Sequence, residues 1–196
     1  PPPTILQRRQ VNQTVYANVF DYSGEETVRA ITSSGSLRDG YALAEIATAD
    51  GVDMCFASYA PGVHTDGEFA SDAVQAFVLR EGTRVAGAFL GGGTLLRVGD
   101  VELRRNAPGL AYMERASTGA YIVGNPSPVE GTVMIRFPEL AKMKAYSLDR
   151  DGRRLAEAEV SRNGDEIIVA LPAVARVEFA PAGQASVFET EQEMLR

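Results

Sequence analysis

The sequence predicts an all-β protein: an antiparallel β-sandwich of many short hairpin-connected strands, with a two-layer supersandwich as its larger form. Three observations predict it. Apolar and polar residues alternate with a period of two, so that Ala175, Val177 and Phe179 fall on one face and Arg176 and Glu178 on the other. The connections are short and rich in Gly, Asn and Asp, which supply the positive φ of tight turns. Strands joined that tightly must run antiparallel, and a turn signal every 8–12 residues or so is the mark of a sandwich or barrel.

In chain order, "TVYANVF" (14–20), "TVRAITS" (27–33), "YALAEIAT" (41–48) and "VDMCFASY" (52–59) read as the first strands. "AVQAFVLR" (73–80), "TRVAGAFL" (83–90), "GTLLRV" (93–98) and "VELRR" (101–105) make a middle group. "LAYMERA" (110–116), "GAYIVG" (119–124), "TVMIRF" (132–137) and "MKAYSL" (143–148) follow, and "RLAEAEV" (154–160), "EIIVAL" (166–171) and "ARVEFA" (175–180) complete the set. Strands such as 73–80 are apolar on both faces and belong in the middle of a layer. The turns between them include "ADG" (49–51), "REGT" (80–83), "VGD" (98–100), "RDG" (150–152) and "RNGD" (162–165).

Residues 1–10, "PPPTILQRRQ", open on three prolines and read as an extended arm or linker. Residues 11–183 form the β-sandwich, with a sub-boundary expected near "GNPSPVEG" (124–131), and 184–196 form a C-terminal tail. A chain of 196 residues can bury a full core without metal or disulfide staples. The single cysteine, Cys55, lies between apolar neighbours and reads as a buried, inert thiol. The net charge of −7, with arginines only in short pairs, argues against nucleic acid and against an anionic membrane as partners.

Few motifs carry chemistry. His64, the only histidine, stands in "ASYAPGVHTDGEF" (57–69) between Tyr59 and the acidic Asp66 and Glu68. One histidine cannot make a His-cluster metal site, and no GxSxG elbow accompanies it, so neither a metal nor another cofactor is expected. A polar turn is the default reading of this loop. The glycine run in "FLGGGTLLRVGD" (89–100) leads into a strand-like segment rather than a helix, which suits a wide hairpin or a bulge and not a phosphate loop. "LDRDGRRL" (148–155) begins like a calcium loop but lacks its closing Glu, and reads as a hairpin.

Seven tyrosines and no tryptophan leave Tyr as the ring available for stacking on sugars. Tyr112 lies near Arg104, Arg105 and Arg115 in sequence. An aromatic, cationic surface there would suit a uronic or sulfated sugar. Exposed alternate strand positions are the plainer account of the same residues.

Three segments carry a resemblance: "VYANVFDYSGEETVRAI", "AFLGGGTLLRVGD" and "YSLDRDGRRLAEAEVSRNGDEIIVALPAVARVEFAP". Through them, residues 14–180 resemble the C-terminal β-sandwich region of the heparinase II/III-like polysaccharide lyases, which include oligoalginate lyases. In that family an α/α toroid precedes the sandwich and supplies most of the catalytic Tyr, His and Asn residues. No toroid and no Asn-His pair is read in this sequence. The resemblance therefore implies the β portion of such an enzyme, or a freestanding relative used for binding. It implies a secreted or periplasmic bacterial protein whose partner is an acidic polysaccharide or oligosaccharide, with the toroid of a longer protein as a second partner.

The expected function is recognition of an acidic polysaccharide, with Tyr59, His64, Asp66, Arg104, Arg105, Tyr112 and Arg115 as candidate ligand-binding residues. Two alternatives accompany it. One is a lyase fragment cleaving uronate glycans by β-elimination, with Tyr59 and His64 in acid–base roles. The other is a packing module without a ligand, which would expose a large apolar patch.

Overall fold

The computed structural model of the chain describes residues 28–187. The expected arm (1–10), the expected strand at 14–20 and the tail from 188 onward lie outside the described residues. The rest is all-β and sandwich-like, with fifteen strands joined in one sheet and a single 3-10 turn at Leu140–Lys142. Every pairing between the strands named below is antiparallel.

The strands are β1 (Val28–Ser36), β2 (Tyr41–Thr48), β3 (Val52–Ser58), β4 (His64–Asp66), β5 (Phe69–Ser71), β6 (Gln75–Glu81), β7 (Arg84–Val98) and β8 (Val101–Arg115). Then come β9 (Tyr121–Asn125), β10 (Gly131–Arg136), β11 (Lys144–Leu148), β12 (Arg154–Glu157), β13 (Ser161–Asn163), β14 (Glu166–Leu171) and β15 (Ala175–Ala180). The main path runs β1-β2-β3-β6-β7-β8-β9-β15-β11-β12. A second layer branches from it in the order β4-β5-β7-β8-β10-β14-β13.

Both layers share β7 and β8. The first half of β7 pairs with β6 and its last residues, Leu96–Val98, pair with β5. The first half of β8 pairs with β10 and its second half, Tyr112–Arg115, with β9. Each long strand thus begins in one layer and ends in the other. The inner faces meet in one core, in which Phe56, Val78, Leu90, Met113, Tyr121 and Phe179 of the main layer face Phe69, Leu103, Ile135, Ile167 and Leu171 of the second. Sequence reading split β7 into 83–90 and 93–98, and β8 into 101–105 and 110–116. The structure joins each pair, because the glycine run and "NAPG" are bulges inside strands rather than turns between them.

The bend in β7 falls where its register with β8 slips twice, between Gly91 and Leu95. Gly92 takes φ +74°, and a Cβ on Gly93 would lie 2.6 Å from Asp72 Oδ1 and from the Ala73 backbone. Asp72 closes the bend. Its Oδ1 accepts the Thr94 and Leu95 amides, each at 2.7 Å, and its Oδ2 accepts the Thr94 hydroxyl at 2.5 Å. Ser71 donates its hydroxyl to the Leu95 carbonyl at 2.7 Å.

The bend in β8 is held by Arg105, a buried cation whose partners are oxygens of neutral groups. It donates to Leu110 O at 2.7 Å, Asn125 Oδ1 at 3.0 Å and Ala107 O at 3.3 Å. Its guanidinium lies against Gly109 and Gly131, where a Cβ would collide with it. Asn125 is saturated in turn, donating to Val129 O, Leu171 O and Pro172 O and accepting the Ser127 amide. Backbone groups freed by the bend are thereby paired, as buried backbone groups must be.

Burial works to raise the Asp72 pKa, but hydrogen bonds from the Thr94 hydroxyl and from the Leu95 and Thr94 amides outweigh it and hold it below 3.8. A depressed carboxylate stabilises the fold above its ordinary pKa and loses that contribution as the pH falls through its folded value. Asp72→Asn should therefore cost about 2 kcal/mol at neutral pH, the scale of hydrogen bonds to a charged group. In urea melts across pH, the gap between parent and variant should narrow as the pH drops below about 4. A gap that stays constant into acid would show that the ionised form is not what holds the bend.

Candidate functional site

The stretch 57–69 is a loop leading into the β4–β5 hairpin, and it gathers three expected residues around one that sequence reading passed over, Tyr41. The Tyr59 hydroxyl donates to the Tyr41 carbonyl at 3.2 Å. The Tyr41 hydroxyl donates to Asp66 Oδ2 at 3.2 Å. The His64 ring lies 5.2 Å from the Tyr41 ring and 6.1 Å from Phe56. His64 Nε2 stands 3.0 Å from the Ala60 carbonyl, so this nitrogen carries the proton. Gly40, at φ +80°, passes so close that a Cβ would lie 3.2 Å from the His64 ring.

These hydrogen bonds tie the loop and the β4–β5 hairpin to β2. Burial pushes the Tyr41 phenol up, and Asp66 and Asp39 push it further. A phenol that must lose its proton to act as a base needs the opposite.

The arginines expected beside Tyr112 are dispersed. Arg104 points outward from the second layer and pairs with the nearly buried Glu102 at 2.6 Å. Arg105 is the buried clamp of β8. Arg115 pairs with Glu81 at 2.7 Å at the far end of β8. Tyr112 alternates with the core residues Ala111 and Met113, so it points outward from the main layer, on the opposite side of the sandwich from Arg104.

Tyr112 belongs instead to a row of outward-facing residues. Strand pairing sets Phe77, Phe89, Tyr112, Gly124 and Arg176 side by side across five strands, in one outward-facing row. Gly124 leaves room for the Tyr112 ring, since a Cβ there would run into the ring. Phe89 packs likewise against Gly91, where a Cβ would come within 2.9 Å of it.

Beyond Gly124 the row enters a cleft of about 550 Å³ lined by Tyr112, Asn125, Pro126, Leu148, Asp149, Arg150, Val174, Ala175 and Arg176. Arg176 is fixed in its wall by donating to the carbonyls of Asp149 at 2.9 Å and Arg150 at 2.8 Å. Arg150 is exposed at the rim. Burial raises the Tyr112 pKa, Glu114 adds to this and Arg176 opposes it, which keeps the hydroxyl a neutral donor. Asp149 Oδ1 accepts the Arg153 amide at 2.8 Å and so closes the β11–β12 hairpin that carries Arg150. Sequence reading placed Arg176 on an outer face, but nothing local says that β15 lies one strand away from β8.

Two other concavities carry less. A groove of about 1190 Å³ opens between the layers at β11–β14, but its floor is Ala145, Val169 and Val177, its lining has no aromatic ring, and Lys144 and Glu157 pair across its rim at 3.3 Å. A dent over Arg97, Glu102, Arg136 and Asp165 alternates charges that offset one another. Among the described residues no group of three or more His, Cys, Asp or Glu side chains could hold a metal ion, and no helix is long and apolar enough to cross a membrane. No protein-family model and no curated protein matches the chain.

Val174 on the cleft lip takes φ +53°. All eleven other positive-φ positions among the described residues are glycine. A β-branched residue in that region costs on the order of 1–3 kcal/mol. The Val174 side chain is 72% exposed, so little packing offsets the strain. Val174→Asn, which tolerates left-handed backbone, should raise the melting temperature by the equivalent of about 1 kcal/mol. A lower melting temperature by calorimetry would show instead that the valine methyls hold the loop.

Proposed function

We propose that the protein binds an acidic polysaccharide or oligosaccharide through the Tyr112–Arg176 cleft. The observation that carries this reading is the pairing of a ring seated against Gly124 with a guanidinium fixed one strand beyond it. A pyranose has an apolar face for the ring. A uronate or sulfated sugar also has an anion for the arginine, which favours planar oxyanions. Arg150 adds a second positive charge at the rim.

The resemblance to the β portion of heparinase II/III-like lyases points to the same ligand class, and with it to a place outside the cytoplasm. The binding residues in this proposal are Tyr112, Arg176 and Arg150. Tyr59, His64 and Asp66 are not among them, since their hydrogen bonds run within the loop and to β2.

Affinity electrophoresis and calorimetry against alginate, heparin-like and pectic polymers test the reading. At least one of these acidic polymers should retard the chain. Tyr112→Ala should weaken that binding by roughly tenfold, the scale of one lost stacking partner. Added salt should weaken it further, because the arginine contribution is electrostatic. Retention unchanged in Tyr112→Ala, or equal on neutral polymers, would remove the cleft from consideration.

A further inference from the structure

The Tyr112–Arg176 cleft is the end of a row, and the row continues over two more strands. Tyr112 is the direct ladder partner of Phe89, and Phe89 of Phe77. The Phe77 and Phe89 rings are 6.1 Å apart with 45° between their planes. Phe77 is 44% exposed and its neighbour along β6, Leu79, is 53% exposed. Leu79 lies over Gly87, where a Cβ would come 3.2 Å from its methyl. Three apolar side chains of this one face are thus each laid against a glycine: Leu79 on Gly87, Phe89 on Gly91 and Tyr112 on Gly124. Neighbouring strands lie about 4.8 Å apart, and the Phe77 and Phe89 rings, at 6.1 Å, follow that order from strand to strand.

Polar groups flank the row and give it a direction. Gln75 is exposed beside Gly91, on the Phe77–Phe89 side. Glu114 is exposed on the other flank, across from Gly87. Arg176 and Arg150 stand at one end of the row, with Asp149 beside them in the cleft lining. A carboxylate or sulfate is favoured there and opposed near Glu114, where sugar hydroxyls can donate instead.

We infer that the site is extended: it takes an acidic oligosaccharide of at least three sugars lying across the strands, its anionic residue at Arg176 and its other end on Phe89 and Phe77. This rests on the proposed acidic-saccharide reading and specifies the length and polarity of the ligand. Row continuity distinguishes this occupant from a packing partner. The apolar strip runs without a break into a charged cleft, which suits a ligand that carries both an apolar face and an anion.

The experiment is calorimetry of the full chain with disaccharide, tetrasaccharide and hexasaccharide fragments of alginate and of heparin, for the parent and for Phe77→Ala. Parent affinity should rise roughly tenfold from disaccharide to tetrasaccharide, and Phe77→Ala should cancel most of that rise while leaving the disaccharide affinity unchanged. Phe77 is half exposed, so the variant is expected to fold, and its melting curve checks this. A tetrasaccharide that binds no better than a disaccharide, or a Phe77→Ala variant that binds like the parent, overturns the extended site and leaves the cleft reading standing. No binding of any fragment or of its parent polymer overturns both. A concentration-dependent dimer in sedimentation that Phe77→Ala dissolves, with no sugar binding, makes a second copy of the chain the occupant and overturns the inference.

Discussion

The rest of the structure depends on two long strands turning the same corner together. β7 and β8, fifteen residues each, stay paired on both sides of the bend, from Gly87–Glu114 to Val98–Val101, while passing from one layer to the other. Bulges permit such a bend by releasing backbone groups from the ladder, and those groups then need new partners. On β7 the Thr94 and Leu95 amides find a carboxylate, Asp72, and on β8 the Ala107 and Leu110 carbonyls find the Arg105 guanidinium, which Asn125 Oδ1 steadies. The two clamps have opposite charge and similar logic: a charged side chain meets backbone groups at the bend. Glycine does the remainder, at Gly92 by its positive φ and at Gly93 and Gly109 by leaving room for the clamp itself.

That corner also makes the site. Because β8 changes layers, its first half shows Arg104 to one side of the molecule and its second half shows Tyr112 to the other. Four residues of the row, Phe77, Phe89, Tyr112 and Arg176, come from four different strands and share an outer face only because the ladders bring β6, β7, β8, β9 and β15 into register. Small residues decide what the row can do. A side chain at Gly124 would displace the Tyr112 ring.

Much of the fold was legible from alternation and turn chemistry, both local properties. β2, β14 and β15 match the sequence reading residue for residue, and the glycine run was read as a bulge or wide hairpin. What was missed is non-local. No pattern within "LGGGT" tells a bulge inside one strand from a turn between two, since that depends on Asp72 arriving from elsewhere. Alternation put Glu178 on a solvent face. It is instead fully buried, held by Arg154 at 2.9 and 3.0 Å and covered by the Ser186 hydroxyl and the Val187 amide. The short β4–β5 hairpin was taken for a plain turn, because three-residue strands are too brief to show a period. Tyr112 stands out in the sequence by residue type. Arg176 does not, because sequence neighbours such as Arg104, Arg105 and Arg115 are scattered by the same bend that brings in Arg176.

The clamp at β7 is open to a direct measurement. The Thr94 and Leu95 amides donate to Asp72, not to a neighbouring strand. If the corner is an integral part of the fold, these two amides exchange with solvent only through global unfolding, as slowly as the core amide of Leu90 and with the same dependence on denaturant. Exchange orders of magnitude faster than Leu90 and indifferent to denaturant would mean that the bend opens locally, and the structure would not depend on it.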